Sequence, residues 1–251
     1  MRNHKTALLL FSGHLKNACE RTHFLQLFHR RCKQVFLKCE SVIVTYSSRH
    51  GTTRASRTLR NGTSGGCLDK LRTVFPQMVT VVRNESHDAT RVANIYPVRY
   101  LQMIQSIRIG LAMVGHTDVV LRLRPDAGIQ GINGIISLST WRTLARLPEN
   151  SIRQYGTWQM RDGSGSVNGD NCFAGTWETF ERFTFFWERD FPCQYMHNLE
   201  HIEWTMHAVA VSQHIQLLPP PLPPSPRSGS HRTGGSWDYK EIFVHSKRVS
   251  C

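Results

Sequence analysis

The 251-residue chain has no Cys-x-x-Cys pair, no Asp-x-Asp, and no apolar run approaching the roughly 20 residues that a membrane helix needs. The first absence argues against a paired-cysteine zinc site, although seven cysteines are present (Cys19, Cys32, Cys39, Cys67, Cys172, Cys193 and Cys251). Their spacing leaves the redox compartment open, since a luminal chain could pair some and a cytosolic one could bury them. The second absence removes the usual two-carboxylate metal site from any single motif. The third predicts no integral membrane segment. After Met1-Arg2-Asn3-His4-Lys5 the apolar run covers only Ala7 to Phe11, too short for the core of a secretory signal, so a leader is not expected. The compartment is open, and a secretory or Golgi location is compatible with a truncated N-terminus. Acidic residues are also scarce. Eighteen Asp and Glu face 31 Lys and Arg, a formal net charge of +13. Such a field attracts polyanions: nucleic acid, an anionic membrane surface or a diphosphate.

Part of that charge lies in Arg49, Arg54, Arg57 and Arg60, inside a Ser/Thr/Gly-rich stretch that reads as a solvated loop over 49–66. Counterion release could support nucleic-acid contact. No zinc-finger, helix-turn-helix or ribonucleoprotein pattern accompanies the basic residues, and the aromatics sit in apolar stripes rather than among the arginines, which argues against that reading.

Apolar patterning predicts α/β organisation. Thr6 to Phe11, Ser41 to Tyr46, Met78 to Val82 and Asp118 to Leu123 read as short strands. Between them, Phe24, Leu27, Phe28, Arg31, Cys32 and Val35 recur at three- and four-residue spacing and mark an amphipathic helix within Asn17–Phe36. A second helix runs from Val98 to Met113, with Pro97 suited to its first turn. These are βαβ units, which predict a largely parallel sheet with helices on both faces. Farther on, Trp141 to Leu147 reads as a short helix stopped by Pro148, Asp162 to Gly169 as a flexible loop, and Cys172 to Gly175 as a strand. An aromatic-rich helix follows over Thr176–Arg189, with Phe180, Phe183 and Trp187 as its core stripe. Leu199 to Gln213 reads as a last helix and Ile215 to Leu218 as a last strand. Residues 1–218 therefore form the predicted domain. Six prolines within Pro219–Pro226 open a Pro/Ser/Gly-rich linker over 219–236, and 237–251 is a segment able to dock on the domain.

Chemistry concentrates at strand ends. Arg122-Leu123-Arg124-Pro125-Asp126 closes a predicted strand with two arginines and an aspartate. Ligands of open α/β sheets bind beyond the carboxyl ends of the strands. Arginine grips phosphate oxygens bidentately, and an aspartate at the same edge can hold a divalent metal or a ribose hydroxyl. An Arg–Asp pair securing a turn is an equally good account of those letters. Asp170, after the Gly/Ser loop, suits a metal or substrate-hydroxyl contact, and equally an ordinary turn. His197-Asn198-Leu199-Glu200-His201 fits the His-x-x-Glu-His pattern of inverted zinc peptidases. Thirteen histidines make such a match easy to meet by chance, and no third ligand is evident.

Several of these segments, in order, carry a resemblance. They are the opening Ala7-Leu8-Leu9-Leu10-Phe11-Ser12-Gly13-His14-Leu15-Lys16 with Cys19, the strand end Thr45-Tyr46, Arg122 to Asp126, and Gly169 to Gly175. A later helix with a glutamate, Glu200 or Glu203, closes the series. Together they resemble glycosyltransferase-like proteins of algae and of bacterial capsule and lipopolysaccharide synthesis. The resemblance spans about residues 6–218 and departs at Lys16, where arginine is commoner. It implies a GT-A/Rossmann-like domain that takes a nucleotide-diphosphate sugar and passes the sugar to a carbohydrate or glycoconjugate acceptor. Ser12, Gly13 and His14 would lie near the nucleotide, with Arg122 or Arg124 near phosphate. Asp126 would stand at the metal (Mn or Mg) or ribose contact. Asp170, Glu200 and Glu203 would be the candidates for the catalytic carboxylate. A domain of this fold that has lost catalysis is the alternative the missing Asp-x-Asp keeps open.

Overall fold

The computed structural model describes residues 3–13, 15, 22–47, 64–76, 78–84, 98–125, 138–155, 157–159, 166–168, 172–189, 206, 209–210 and 212–218. The apolar run of the N-terminus is β1 (Asn3–Ser12), followed by α1 (Thr22–Val35) and β2 (Phe36–Ser47). Then come α2 (Ser64–Val74), β3 (Val79–Asn84), α3 (Val98–Val114) and β4 (Val119–Leu123). The remainder comprises α4 (Leu138–Leu144), β5 (Ser151–Gln154), β6 (Thr157–Gln159), β7 (Ser166–Asn168), β8 (Cys172–Thr176), α5 (Trp177–Arg189) and β9 (Gln216–Leu218).

Seven strands form one sheet in the order β3-β2-β1-β4-β8-β5-β9, and β6 pairs with β7 in a small separate ribbon. β1, β2, β3 and β4 are mutually parallel, β8 is antiparallel to both its neighbours, and β9 is parallel to β5. The sheet is therefore mostly parallel with one reversed strand, as expected for a Rossmann-like α/β domain.

The continuous apolar letters of β1 make sense in this position, because a central parallel strand is buried on both faces. Leu9 and Phe11 meet Leu25, Phe28 and Cys32 of α1, Leu71 of α2, and Trp141 of α4 on one face. Leu8 and Leu10 meet Ile104 and Ile107 of α3, and Phe180 and Phe183 of α5, on the other. Each such fully buried side chain contributes roughly 1.5–3 kcal/mol relative to exposure. The start of α5 is fixed by Thr176, whose hydroxyl accepts the Thr179 N–H at 3.3 Å, and Glu178 lies in the first turn. Cys32 at the end of α1 is joined to Cys39 of β2 by a disulfide, a pairing that spacing alone had left undecided.

Two expected loops are corrected, and two elements were not anticipated. The loop read over 49–66 ends earlier, because α2, a helix that the sequence pattern did not indicate, begins at Ser64. The flexible loop expected over Asp162–Gly169 contains β7, held by its ladder to β6. β5 went unforeseen, since Ser-Ile-Arg-Gln carries no alternation, yet it is buried between β8 and β9. Of the expected helix Leu199–Gln213, Met206, Val209, Ala210, Ser212 and Gln213 are described; the first four are helical and Gln213 is already in a turn. Residues 219–251 lie outside the described residues, as does their division into linker and docking segment.

Candidate functional site at the carboxyl edge of strands β1 and β4

From β1 the chain crosses to β2 on one side, whereas after β3 it crosses back to β4 on the other side of β1. The order reverses between β1 and β4. A crevice opens beyond the carboxyl ends of strands at such a switch point, the usual ligand position of open α/β sheets. Phe11 is opposite Leu123, so the chain ends Ser12-Gly13 and Arg124-Pro125 lie side by side at that edge.

Arg122 ties the two ends together. Its Nε donates to Ser12 Oγ at 2.8 Å and its Nη2 to the Ser12 carbonyl at 3.1 Å. Its guanidinium carbon stands 5.2 Å from the centre of the Phe173 ring, across the β4–β8 pair that sets Arg122 opposite Phe173. Arg122 is only 2% exposed and Ser12 only 1%. A guanidinium suits this place because its planar fork satisfies two acceptors while its face packs on an aromatic ring. Phe173 is in turn held by Phe180, stacked at 5.5 Å, and by Phe183, edge-on at 6.1 Å. The strand end is thus braced from β4, β8 and α5.

Gly13 continues the ladder, donating its N–H to the Val44 carbonyl at 3.0 Å. Its φ of +132° is a conformation that side-chain-bearing residues rarely adopt. A Cβ there would stand 3.7 Å from Pro125 Cδ, so the two strand-end motifs approach each other closely without leaving glycine the only residue that fits sterically. Leu15 returns to the core at 5% exposure. Arg124 is half-buried at the same edge.

Ser12, Gly13, Arg122 and Arg124 therefore come together. His14, Asp126, Asp170, Glu200 and Glu203 lie outside the described residues, and so do His197 and His201. Two neighbours lie in segments that carried the resemblance, Thr45-Tyr46 and Gly169 to Gly175, but were not proposed as site residues. Thr45, at the end of β2, is 1% exposed, and its hydroxyl has no hydrogen-bond partner among the described residues. Phe173 backs Arg122, a role that the apolar letters of β8 do not distinguish from ordinary core. The thiol of Cys172, fully buried beside them, is pushed well above its ordinary pKa by burial, which makes it an inert core group rather than a nucleophile. Among the described residues no three His, Cys, Asp or Glu side chains cluster to hold a metal, and no helix is long and apolar enough to cross a membrane.

No protein-family model matches the chain, and no curated protein does. Among solved structures, UDP-glucose pyrophosphorylase complexed with UDP-glucose matches over 97% of this chain and 97% of its own, with 10% identity and a TM-score of 0.36. So loose a likeness says nothing about what this chain binds.

Proposed function

We propose that the chain is a nucleotide-sugar enzyme of the glycosyltransferase kind, with its donor site at the switch point between β1 and β4. The observation that carries this reading is the convergence of two motifs 110 residues apart, Ser12-Gly13 and Arg122 to Pro125, joined by the Arg122–Ser12 hydrogen bonds. The sheet plan supports it. It is mostly parallel, with one reversed strand beside β4 and a switch point between β1 and β4, where open α/β sheets take their ligands.

In this proposal the roles of the two arginines divide. Arg122 is a positioning residue, holding Ser12 and with it the Gly13 turn. Arg124 is the phosphate contact, at the edge where a diphosphate would lie. Gly13 allows the backbone to approach the ligand closely. Fixed positive charge at this edge would stabilise the negative charge that develops on the nucleoside-diphosphate leaving group. Asp126, next after Pro125, is the candidate for a ribose or cation contact. A Mn or Mg ion held there would neutralise the diphosphate. Asp170, Glu200 and Glu203 are the candidates for the carboxylate that accepts the acceptor hydroxyl's proton.

Calorimetric titration with a panel of UDP- and GDP-sugars, with and without manganese, tests the proposal. Binding that is weakened by Asp126→Ala and by Arg124→Ala supports it. A folded protein silent across the panel overturns it.

A further inference from the structure

The opposite edge of the sheet carries a second feature. β2 pairs with β1 from Phe36 onward, with an irregularity before Lys38, but its pairing with β3 begins only at Val42 opposite Val79. Residues Lys38 to Ser41 therefore project past the start of β3, and among the described residues no strand pairs with that edge. Gly13 N–H reaches the Val44 carbonyl, so Val44 turns its backbone groups toward β1. By the strand period of two, Cys39 and Ser41 turn theirs away, toward that edge. A cavity of about 650 Å³ occupies this notch. Its size is that of small-molecule sites, which run to roughly 300–1,000 Å³.

The walls differ in character. One side is apolar: Val74, Phe75, Pro76, Met78 and Val79 of the α2–β3 connection, with Val114 from the end of α3. Two of the exposed large apolar side chains, Val79 at 37% and Met113 at 50%, belong to or adjoin that wall, and a third, Leu37 at 62%, precedes Lys38. The other side is α1, which contributes Gln26, His29 and Arg30, spaced to lie on one helix face. α1 contains no Asp or Glu. Glu40 is the one acid of the lining and is paired with Lys38. The His29 ring is engaged with the Ser41 hydroxyl at 2.8 Å. Arg30, exposed and part of the lining, has no ion pair among the described residues.

We infer that this cavity binds a small amphipathic organic anion, its acidic head held by Arg30 and Gln26 and its apolar body lying along Phe75, Met78 and Val79. The backbone of Cys39 supplies a further donor and acceptor at the floor. The site is separate from the carboxyl edge, where strands β1 and β4 end, and stands whether or not a nucleotide sugar binds there.

The probe is 8-anilinonaphthalene-1-sulfonate, an aromatic body with one anionic head, set against its uncharged analogue N-phenyl-1-naphthylamine. Fluorescence titration of the intact protein should give saturable one-to-one binding of the sulfonate, tighter than that of the analogue. Arg30 is exposed, so Arg30→Glu leaves the fold intact, which the thermal midpoint verifies. This variant should bind the sulfonate about tenfold more weakly and leave the analogue unchanged. Val79→Trp, which fills the cavity, should weaken both. Dodecanoate should displace the sulfonate, and dodecanol should do so poorly. Equal affinity for charged and uncharged probes, or sulfonate binding indifferent to Arg30→Glu and Val79→Trp, overturns the inference. Nucleotide-sugar titrations of the same two variants should match the unsubstituted protein, so failure at either edge of the sheet is read separately.

Discussion

Arg122 of β4 holds both the hydroxyl and the carbonyl of Ser12 at the end of β1, with 2% of its surface exposed. Two strands that meet side by side are thereby locked at their carboxyl ends, where the chain of each turns away. Arg122→Leu leaves two buried acceptors on Ser12 without their donor, at a cost of about 2–4 kcal/mol. Arg122→Lys keeps the charge but loses the fork, and should lie between. Urea unfolding with unchanged m-values measures both. A loss below about 0.5 kcal/mol for the leucine variant means that the bonds do not stabilise the fold.

Gly110 of α3 packs on Leu10 of β1 so closely that a Cβ would stand 2.3 Å from Leu10 Cδ1. Alanine is worth about 1 kcal/mol over glycine in a helix interior. Here the clash with a fully buried leucine exceeds that gain, and Gly110→Ala should destabilise by about 1–3 kcal/mol. Combined with Leu10→Ala, the two losses should be less than additive, because the smaller residue makes room. Strict additivity in the double-mutant cycle contradicts this packing.

The βαβ half of the domain was legible because its strands are unbroken apolar runs and its helices have apolar stripes. Thr6 to Phe11 read as a buried strand because the apolar run is short and Ser12-Gly13 ends it. β5 was hidden because its partners, not its letters, make Ser151-Ile152-Arg153-Gln154 a strand. α2 was missed altogether, because Gly65 and Gly66 open it like a loop and its apolar stripe is short. At the site, the arginine-rich strand end was visible, but the division of labour was not. Arginine is ordinarily a surface residue, and only the register of Arg122 opposite Phe173 reveals that it faces inward. The disulfide was undecidable from spacing, since it depends on α1 ending beside the start of β2.

His29 and Asp118 are among the described groups that give stability a dependence on pH. Burial, reinforced by Lys33, holds His29 below its ordinary value of 6.5. The unfolded chain then takes up a proton first, so stability falls as pH drops through about 6.5 toward the folded value. His29→Asn, which keeps a group near Ser41, should flatten that part of the curve between pH 7.5 and 5. Asp118 behaves differently. It accepts the Thr6 N–H at 2.7 Å and the Thr6 hydroxyl at 2.8 Å, which holds its carboxyl below the ordinary 3.8. Its contribution is present above that value and lost as pH falls through the folded one. Because Asp118 is exposed, the advantage over Asp118→Asn should stay under about 1 kcal/mol at neutral pH and vanish only in acid. Identical pH profiles of the unsubstituted and substituted proteins contradict either assignment.

The central claim, that a nucleotide sugar is gripped where β1 and β4 end, is tested most directly by hydrogen–deuterium exchange with and without a saturating UDP- or GDP-sugar. Protection should concentrate in peptides covering 9–15 and 121–126, leaving 36–41 at the far edge unchanged. Protection confined to other parts of the sheet, or none at these two strand ends despite measured binding, contradicts the account.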